Sequence, residues 1–552
     1  MNKILLIATT LLNFAAQAQQ QVADKIYVNA KIWTGDDTNK WAKTIALKNN
    51  TIIYVGNDYK SYTGNKTIVT DLEGRLLIPG FIDNHTHFLA GGFQLVSIDL
   101  RQVKSKKAFI QTFKKYVQGL DEKRWITGGD WDHEAWGGDL PKKEWIDAVS
   151  GNHPVFVNRY DGHMALANSV ALRLAGIDKN TSNPPGGEIV KDPATGEPTG
   201  VLRDEAMNLV NNVIPEPSAK EMEEAFLRAQ QHALSLGVTQ VHDMSSFGGW
   251  PDMNTYQRAY ADDQLQMRVY SFVALATWQK LADYVTQNGR GDDMLRWGGL
   301  KGFVDGSLGS TTAWFYKPYL DAPNSTGLQV TDTTLLHDWV IAADKAGLQV
   351  ATHAIGDRAN DFILNVYKEA NTTNGTRDRR FRIEHAQHLT QEAITRFGVE
   401  KVIPSMQPYH AIDDGKWAAK RLDDTRLRGT YAFNSLLKDD ARLTFGTDWT
   451  VAPLNPLLGI YAAVTRRTLD NKNPNGWYPQ EKITVEQAMK CYTANNAYAG
   501  FQENKLGILK AGMLADFAVL DKNIFSIDAE QIRNTKVVLT VVNGKEVYKA
   551  KQ

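Results

Sequence analysis

His85 and His87 stand two residues apart, shortly after the apolar run 76–79. Side chains alternate between the two faces of a strand, so both imidazoles point the same way if this stretch is extended. Two neutral imidazoles on one rigid strand end can bind the same divalent cation, and zinc suits such ligands. A histidine pair is also an ordinary polar feature of a strand end, so the metal hypothesis depends on the rest of the chain.

Further polar residues stand at the ends of apolar runs in the middle of the chain, namely Lys301, His353, His385 and Asp448. In a barrel of parallel strands the active site lies at the C-terminal strand ends, so these residues would meet the histidine pair there. A core histidine satisfied by backbone is the ordinary explanation for any one of them. The chain has only 12 histidines. Four of them at predicted strand ends are better explained by one metal site than by four separate structural histidines.

The elements that must position these residues alternate between helix and strand. Helical spacing over 221–236, 335–346 and 391–397 is followed each time by an apolar strand, at 237–243, 348–353 and 401–407. This repetition predicts an α/β fold with a parallel sheet, and its length favours a (β/α)8 TIM-like barrel. A doubly wound open sheet is the alternative, although no G-x-G-x-x-G follows a first strand.

Both ends of the chain read as short strands and turns, over 22–78 and 505–552, with a hairpin around 543–544. We expect them to pair into one small β domain, because chain termini often lie close together. Residues 79–504 then form the barrel. Residues from about 101 to 215 are rich in Trp, Gly and Pro and are predicted to be a large insertion after the first barrel strand.

Composition narrows the function classes. The chain has 62 basic and 62 acidic residues, so charge gives no argument for a nucleic-acid partner or an anionic membrane surface. Its single cysteine, Cys491, excludes an intrachain disulfide. We expect a small molecule as the partner, and a homodimer stays open.

The N-terminal residues predict a secretory signal peptide over 1–18. Lys3 precedes an apolar run, and Ala16-Gln17-Ala18 fits an A-x-A cleavage signal. An uncleaved anchor helix is the alternative, but the run is shorter than the roughly 18 residues that span a bilayer. We therefore expect an exported protein, periplasmic or secreted, with no membrane association after cleavage.

Several collinear motifs extend over nearly all of the chain beyond the signal peptide: P-G-F-I-D-N-H-T-H-F (79–88), D-G-H-M-A-L-A-N-S (161–169), K-G-F-V-D-G-S-L-G-S (301–310), T-H-A-I-G-D (352–357), R-I-E-H-A-Q (382–387), F-G-T-D-W (445–449) and A-G-M-L-A-D-F-A-V-L-D (511–521). With these motifs the chain resembles the amidohydrolase superfamily, and within it the YtcJ-like amidohydrolase family 3. The resemblance implies a distorted barrel, a small β-sandwich built from both termini, and one or two metal ions, usually zinc.

The resemblance also implies roles for single residues. His85 and His87 would bind the more buried metal, and His353 and His385 the more exposed one. Lys301 matches a lysine that is carboxylated in the family and bridges both ions. Asp448 matches the aspartate after the last strand, which contacts metal and transfers the proton. An unmodified lysine ammonium would repel two dications, so Lys301 belongs there only if it is carboxylated or neutral.

This chemistry predicts a metal-dependent hydrolase. A binuclear centre lowers the pKa of a shared water toward neutrality, and Asp448 would take its proton and deliver it to the leaving amine. We expect cleavage of a C–N bond outside ordinary peptides, in an amide, an N-substituted formamide or a cyclic amide. The alternatives are a mononuclear hydrolase of esters or N-acyl compounds, with Lys301 unmodified, and a non-catalytic regulatory protein on the same barrel.

Substrate contacts are harder to predict. His163 lies in the insertion, and His242 and Gln407 end predicted strands. Together with Trp449 they are candidates for lining the pocket. Each also has a structural explanation, as a loop hydrogen bond, a group that orients a metal ligand, or a packed indole.

Overall fold

Parallel strands and helices alternate through the middle of the chain in this computed structural model, which describes residues 21–121, 123–160 and 163–551. Eight of the described strands form one parallel sheet that nearly closes into a barrel, with helices outside it. This confirms the predicted α/β TIM-like barrel over the open doubly wound sheet. The predicted signal peptide lies outside the described residues. Within the described ranges, none of the helices has the length and apolar character needed to cross a bilayer.

The elements fall into successive groups. The first strands are β1 (Lys25–Val28), β2 (Lys31–Trp33), β3 (Trp41–Ala42), β4 (Thr44–Lys48), β5 (Thr51–Gly56), β6 (Ile68–Asp71) and β7 (Leu76–Pro79). The barrel opens with β8 (Phe81–Thr86) and α1 (Phe88–Val96). An inserted group follows: β9 (Ile98–Asp99), α2 (Lys106–Val117), β10 (Gly128–Trp131), α3 (Glu144–Ser150), β11 (Phe156–Arg159), β12 (Met164–Ala167), α4 (Ser169–Leu174), β13 (Gly187–Lys191), β14 (Pro198–Asp204) and α5 (Asn208–Asn211).

The barrel then continues with α6 (Ala219–Ser235), β15 (Val238–Asp243), α7 (Trp250–Ala261), β16 (Arg268–Ala274), α8 (Trp278–Asn288), β17 (Leu295–Phe303), α9 (Thr333–Lys345), β18 (Gln349–Ala354), α10 (Asp357–Thr373), β19 (Arg382–His385), α11 (Gln391–Val399), β20 (Ile403–Met406), α12 (Pro408–Asp414), α13 (Asp424–Arg428), α14 (Phe433–Lys438), β21 (Thr444–Phe445), α15 (Pro456–Thr465), α16 (Val485–Cys491) and α17 (Ala494–Ala499). The last strands are β22 (Phe517–Leu520), β23 (Val537–Val542) and β24 (Lys545–Lys549). Short 3₁₀ helices span Lys60–Tyr62, His133–Trp136, Glu205–Met207, Leu275–Thr277, Ala418–Lys420, Pro479–Glu481 and Ala529–Asn534.

The barrel sheet has the order β8-β15-β16-β17-β18-β19-β20-β21. Its strands are buried on both faces, as in β8 and β15, where every residue is buried. The helices begin with local signals: Ser218 and Glu221 form a capping box at the start of α6. Strand pairing thus places all the C-terminal strand ends at one rim.

The short strand β21 completes the barrel next to β8. The backbone N–H of Asp448 donates to the carbonyl of His85 at 2.7 Å, and the N–H of His87 donates to the carbonyl of Trp449 at 2.7 Å. Gly446 makes this approach possible, because a Cβ there would lie 2.6 Å from the backbone nitrogen of His85. The first and last barrel strands therefore bring their polar ends directly together.

Strands from both ends of the chain lie beside the barrel in two sheets, ordered β5-β4-β1-β6 and β24-β23-β22-β7-β2-β3. In the second sheet β22 pairs antiparallel with β7, which leads directly into β8. The side chain of Arg268, on barrel strand β16, makes two hydrogen bonds of 2.7 and 2.8 Å to the carboxylate of Asp516, just before β22. This buried ion pair ties the barrel to the β domain.

The inserted group forms its own sheet, ordered β13-β14-β12-β11-β10-β9, between α1 and α6. It encloses separate apolar clusters, one around Phe109 and Trp131 and another around Leu172 and Leu202. The insertion therefore has its own packed core and does not share that of the barrel.

Candidate metal centre

The ends of five barrel strands, or the residues that follow them, carry the predicted ligands. The side chains are those of His85 and His87 at β8, Lys301 at β17, His353 at β18, His385 at β19 and Asp448 after β21. Parallel strand ends meet at one rim of the barrel, which explains how residues more than 350 positions apart in the chain come together.

The structure gathers these side chains around one point. His85, His385 and Asp448 each offer one ligand atom, and these atoms lie within 4.8 Å of one another. Nε2 of His87 is 3.4 Å from Oδ1 of Asp448. The ring of His353 has its centroid 4.5 Å from that of His385. The ligand atoms of His85, His385 and Asp448 therefore converge on one point, and the imidazoles of His87 and His353 lie beside this group.

A buried carboxylate orients His85. Its Nδ1–H donates to Oε2 of Glu384 at 2.5 Å, and both side chains are fully buried. Glu384 also accepts hydrogen bonds from Nε of Arg382 at 2.7 Å and from the hydroxyl of Ser405 at 2.5 Å. The ion pair with Arg382 and the bonds from His85 hold the pKa of Glu384 well below its usual range, although burial alone would raise it. Glu384 thus stays charged and leaves Nε2 of His85 free to face the centre.

The other imidazoles are oriented in the same way, each by one ring nitrogen that donates to a fixed acceptor. The acceptors are Oε1 of Gln407 for Nδ1 of His385 (2.8 Å), the carbonyl of Gly306 for Nε2 of His353 (3.0 Å) and the carbonyl of Ser245 for Nδ1 of His87. The second nitrogen of each ring could then act as a metal ligand, and hydrogen bonds of this kind are how protein metal sites fix the tautomer of their histidines.

Electrostatics keep most of these imidazoles neutral, as metal ligation requires. Burial, reinforced by the nearby Lys301 ammonium, lowers the pKa of His85 to about 4 and that of His353 to about 3. Burial also lowers the pKa of His385 well below its ordinary value. His87 differs: burial opposes its protonation, but the adjacent Asp448 carboxylate raises its pKa.

Asp448 is the carboxylate at the centre. Burial alone would raise its pKa, but the surrounding histidines, beginning with His85 and His87, hold that pKa well below the ordinary value. Its backbone has φ +57°, in the left-handed region that non-glycine residues seldom adopt. This conformation turns the side chain toward the imidazoles immediately after the barrel closes.

Lys301 reaches the same centre from β17. Its Nζ lies 3.4 Å from Nε2 of His85, and the side chain is buried. Burial lowers the pKa of Lys301 to about 8. Among the described residues, no carboxylate oxygen lies within ion-pair distance of this ammonium. A lysine without an ionic partner among four imidazoles is an unusual choice for a purely structural role.

His410, in α12 after β20, also belongs to the centre. Its Nε2 is 4.0 Å from Oδ2 of Asp448, and its ring lies nearly parallel to that of His385 with centroids 6.4 Å apart. That Nε2 is inaccessible to solvent and makes no hydrogen bond with the described residues. From the end of this strand the sequence pattern singles out Gln407. His410 lies three residues further along, in α12, so its approach to Asp448 depends on the path of that helix.

The four candidate substrate contacts occupy different surroundings. His163 is 75% exposed by side chain and pairs with Asp204 at 2.9 Å. Gln407 accepts a hydrogen bond from His385, which is one of the candidate metal ligands. Trp449 is only 4% exposed and packs against Phe88 and His232.

His242 is fully buried. The side chain of Arg382 donates to its Nδ1 at 3.1 Å. Its Nε2 has no hydrogen-bond partner among the described residues and faces the backbone at Gly500. The contacts of Gln407, Trp449 and His242 are with other protein groups. They favour a role in positioning the centre over direct contact with a substrate.

The family of this chain is shown by its similarity to known proteins. Residues 69–548 match the model of the amidohydrolase family. The chain belongs to this family. Among curated relatives, this amidohydrolase is 42% identical over 539 residues to Protein LONG AFTER FAR-RED 3 of Arabidopsis thaliana, covering 96% of the chain and 92% of the relative. It is 32% identical to YtcJ of Bacillus subtilis over 89% of the chain and 92% of that protein.

Two further matches bear on the chemistry. The amidohydrolase is 25% identical to an N-substituted formamide deformylase of Arthrobacter pascens, over 95% of the chain and 98% of that enzyme. The solved structure of a metal-dependent hydrolase from Pyrococcus furiosus superposes with a TM-score of 0.76 at 29% identity, covering 91% of this chain and all of that one. The fold and the family are therefore those of metal-dependent hydrolases.

The side chains present fit the metal that this family implies. The ligand atoms of His85, His385 and Asp448 lie close enough to bind one cation, and the histidines are held in fixed tautomers. Imidazole and carboxylate donors together suit a borderline divalent ion. These three side chains could therefore hold one divalent metal ion.

Proposed function

We propose that this amidohydrolase hydrolyses a non-peptide C–N bond of a small molecule, such as an amide, an N-substituted formamide or a cyclic amide. The observation that carries the proposal is the convergence of His85, His385 and Asp448 within 4.8 Å, with the histidine tautomers fixed. The similarity to a formamide deformylase supports a C–N substrate. The complete ligand set argues against a regulatory protein that has lost catalysis.

In this proposal zinc is the cofactor, as one ion or two. A single ion would be held by His85, His385 and Asp448, whose ligand atoms converge. With two ions, His85 and His87 would hold one with Asp448, and His353 and His385 would hold the second. A bound divalent cation would supply Lewis-acid activation of a water and of the substrate carbonyl. The protein supplies rigid ligands, because every imidazole is fixed by a hydrogen bond on its far side.

Asp448 is the proposed proton carrier. Its carboxylate lies between the imidazoles of His85 and His87, and the histidines keep it ionised. It can accept a proton from the attacking water and deliver it to the leaving nitrogen as the C–N bond breaks. The left-handed backbone at this residue holds the carboxylate in position for both transfers.

His410 is the proposed donor to the substrate. Its buried Nε2 has no hydrogen-bond partner among the described residues, and a group of this kind is costly unless a ligand satisfies it. With a proton on Nε2, this imidazole would donate to the carbonyl oxygen where negative charge develops.

Lys301 is proposed to act as a carbamate formed with carbon dioxide. The carbamate would convert a buried cation without a close carboxylate into an anionic ligand for two ions. We expect metal binding to the wild type to depend on bicarbonate, and isotopically labelled bicarbonate to give a carbamate signal by NMR. Lys301→Ala should lose that signal. If the wild-type protein gives no carbamate signal, the result favours a mononuclear centre with unmodified Lys301.

The experiment that tests the function is a hydrolysis screen of amides, N-substituted formamides, lactams and esters with zinc-reconstituted protein. Turnover of an amide class supports the proposal, and turnover of esters alone would favour the alternative. His353→Ala should abolish turnover while the far-ultraviolet circular dichroism stays that of the wild type. The matched control is His337→Ala, which removes a partly exposed histidine on α9 that is paired with Asp338 and should leave turnover unchanged.

We also propose that the enzyme acts after export. Support comes from the basic residue, apolar run and A-x-A signal at 1–18. N-terminal sequencing of protein recovered from its native host should begin at Gln19. Recovery of the full chain from the cytoplasm would contradict the proposal.

A further inference from the structure

Phe303 stands at the mouth of the barrel, directly beyond the metal centre. It is the last residue of β17 and lies two positions after Lys301. Successive strand residues point to opposite faces. At Gly302, between them, a Cβ would meet Leu275 and Leu336 in the outer helical layer. Lys301 and Phe303 therefore both face the barrel interior, with Phe303 one layer nearer the opening.

Neighbouring contacts place the phenyl ring beside the ligands. Phe303 pairs in register with His353 on β18, and the two rings have centroids 5.3 Å apart. Nζ of Lys301 lies 5.0 Å from the centroid of the phenyl ring. One side of the ring thus packs on the metal-binding groups, while the residue remains 39% exposed. The exposed part of this ring forms a wall beside the centre.

A neighbouring segment, residues 328–330, adds apolar surface next to the end of β17. The N–H of Val330 donates to the carbonyl of Val304 at 2.8 Å, and Gln329 bridges to Asp305, so the segment 328–330 runs alongside the residues that follow Phe303. Leu328 and Val330 on this segment are 47% and 54% exposed. A molecule whose reacting carbon lies at the centre would meet apolar groups on this side.

We infer that Phe303 is a specificity-determining residue that contacts an apolar substituent next to the scissile C–N bond. The inference rests on the proposed function and names its substrate class: amides or formamides that carry an extended alkyl or aryl group, in preference to small or charged amides. The exposed phenyl ring offers a substrate apolar surface and no conventional hydrogen-bonding group. Removal of such contact typically costs roughly 10- to 200-fold per apolar group in selectivity.

The test compares two substrates that have the same leaving-group chemistry, N-hexylformamide and N-methylformamide. Phe303→Ala should lower kcat/KM for the hexyl compound by about tenfold or more and change that for the methyl compound by less than about threefold. Phe303→Leu should retain most of the hexyl preference. Metal content, measured by elemental analysis, should equal that of the wild type, because Phe303 is not a ligand. Equal losses on both substrates would overturn the inference.

A binding measurement keeps the inference separate from the proposed function. Titration calorimetry with N-hexyl and N-methyl methanesulfonamide, which the enzyme cannot hydrolyse as amides, should show tighter binding of the hexyl compound to the wild type and loss of that difference in Phe303→Ala. If the hydrolysis screen finds no amide, formamide or lactam that is cleaved, the proposed function fails, and this binding result alone then decides the inference. The control is Val399→Ala, which removes an apolar side chain 75% exposed at the end of α11 and should preserve the hexyl preference.

Discussion

Oε2 of Glu384 lies 2.5 Å from Nδ1 of His85, in a site where both side chains are sealed from solvent. Arg382 and Ser405 satisfy the remaining lone pairs of that carboxylate. His85 is therefore held by a charged, immobile partner, and its other nitrogen has one direction in which to point, toward Lys301 and Asp448. The proposed metal centre would therefore depend on this hydrogen-bonded partner of His85 as well as on the ligands.

Glu384→Gln should weaken metal binding by about 10- to 100-fold, because outer partners of ligating histidines typically contribute that much. The glutamine side chain keeps the size of glutamate. Its NH2 group at the position of Oε2 would face the Nδ1–H of His85 and the hydroxyl of Ser405, which are both donors. The measurement is a competition titration with a chelating dye. Glu400→Gln, at a partly exposed pair with Arg396 on α11, is the matched control. Wild-type affinity in Glu384→Gln would show that His85 needs no orienting partner.

His410→Ala should lower kcat by roughly a hundredfold, the usual cost of one donor to a developing oxyanion. Metal content should stay at the wild-type value, since the other histidines and Asp448 form the ligand set. His410→Gln keeps a donor at similar reach and should recover part of the rate. Loss of metal in His410→Ala would instead identify His410 as a ligand.

Removal of metal should lower the melting temperature as well as abolish turnover. A cation that binds only the folded protein stabilises it by about 2.7 kcal/mol at a hundredfold excess over its Kd. Calorimetric scans with a chelator, and after zinc is restored, should therefore give a reversible shift. His385→Ala should show little or none of that shift. Equal shifts in both proteins would place the stabilising metal elsewhere.

Much of this architecture follows from local sequence rules. The barrel could be predicted because helix-to-strand alternation recurs, and its topology explains why His85 and His353, which both belong to apolar strands, meet. His410 could not be predicted in the same way, since its approach to Asp448 depends on the path of α12 after β20. The burial of Trp449 is equally non-local: its indole is covered by His232 of α6, more than two hundred positions earlier in the chain.

A buried carboxyl pair beside the centre should make stability depend on pH. Burial, together with the neighbouring Asp252, raises the pKa of Asp243 to about 7, whereas an unfolded aspartate titrates near about 3.9. The folded protein thus holds a proton that the unfolded chain releases. This contribution to the free energy of unfolding is complete below about pH 4 and is lost as the pH rises through about 7.

Asp243→Asn mimics the protonated carboxyl and cannot titrate, so it should remove that dependence. The stability of the variant relative to the wild type should rise between about pH 4 and pH 7, by on the order of 1 kcal/mol or more, since one pKa unit corresponds to about 1.4 kcal/mol. Urea unfolding of both proteins across this range measures the difference. Parallel stability profiles would show that Asp243 is ionised in the folded protein.

The buried ion pair between Arg268 and Asp516 should contribute measurably to the stability of the contact between the barrel and the β domain. Asp516 also accepts a hydrogen bond from the backbone N–H of Asn543 at 2.8 Å. Asp516→Asn leaves the buried guanidinium without its counterion, and breaking a buried pair in this way costs about 3–5 kcal/mol. Urea unfolding should show that loss. Asp293→Asn, which removes the exposed pair with Lys505, should cost less than about 1 kcal/mol. Similar costs for the two variants would mean that the β domain is held by apolar packing alone.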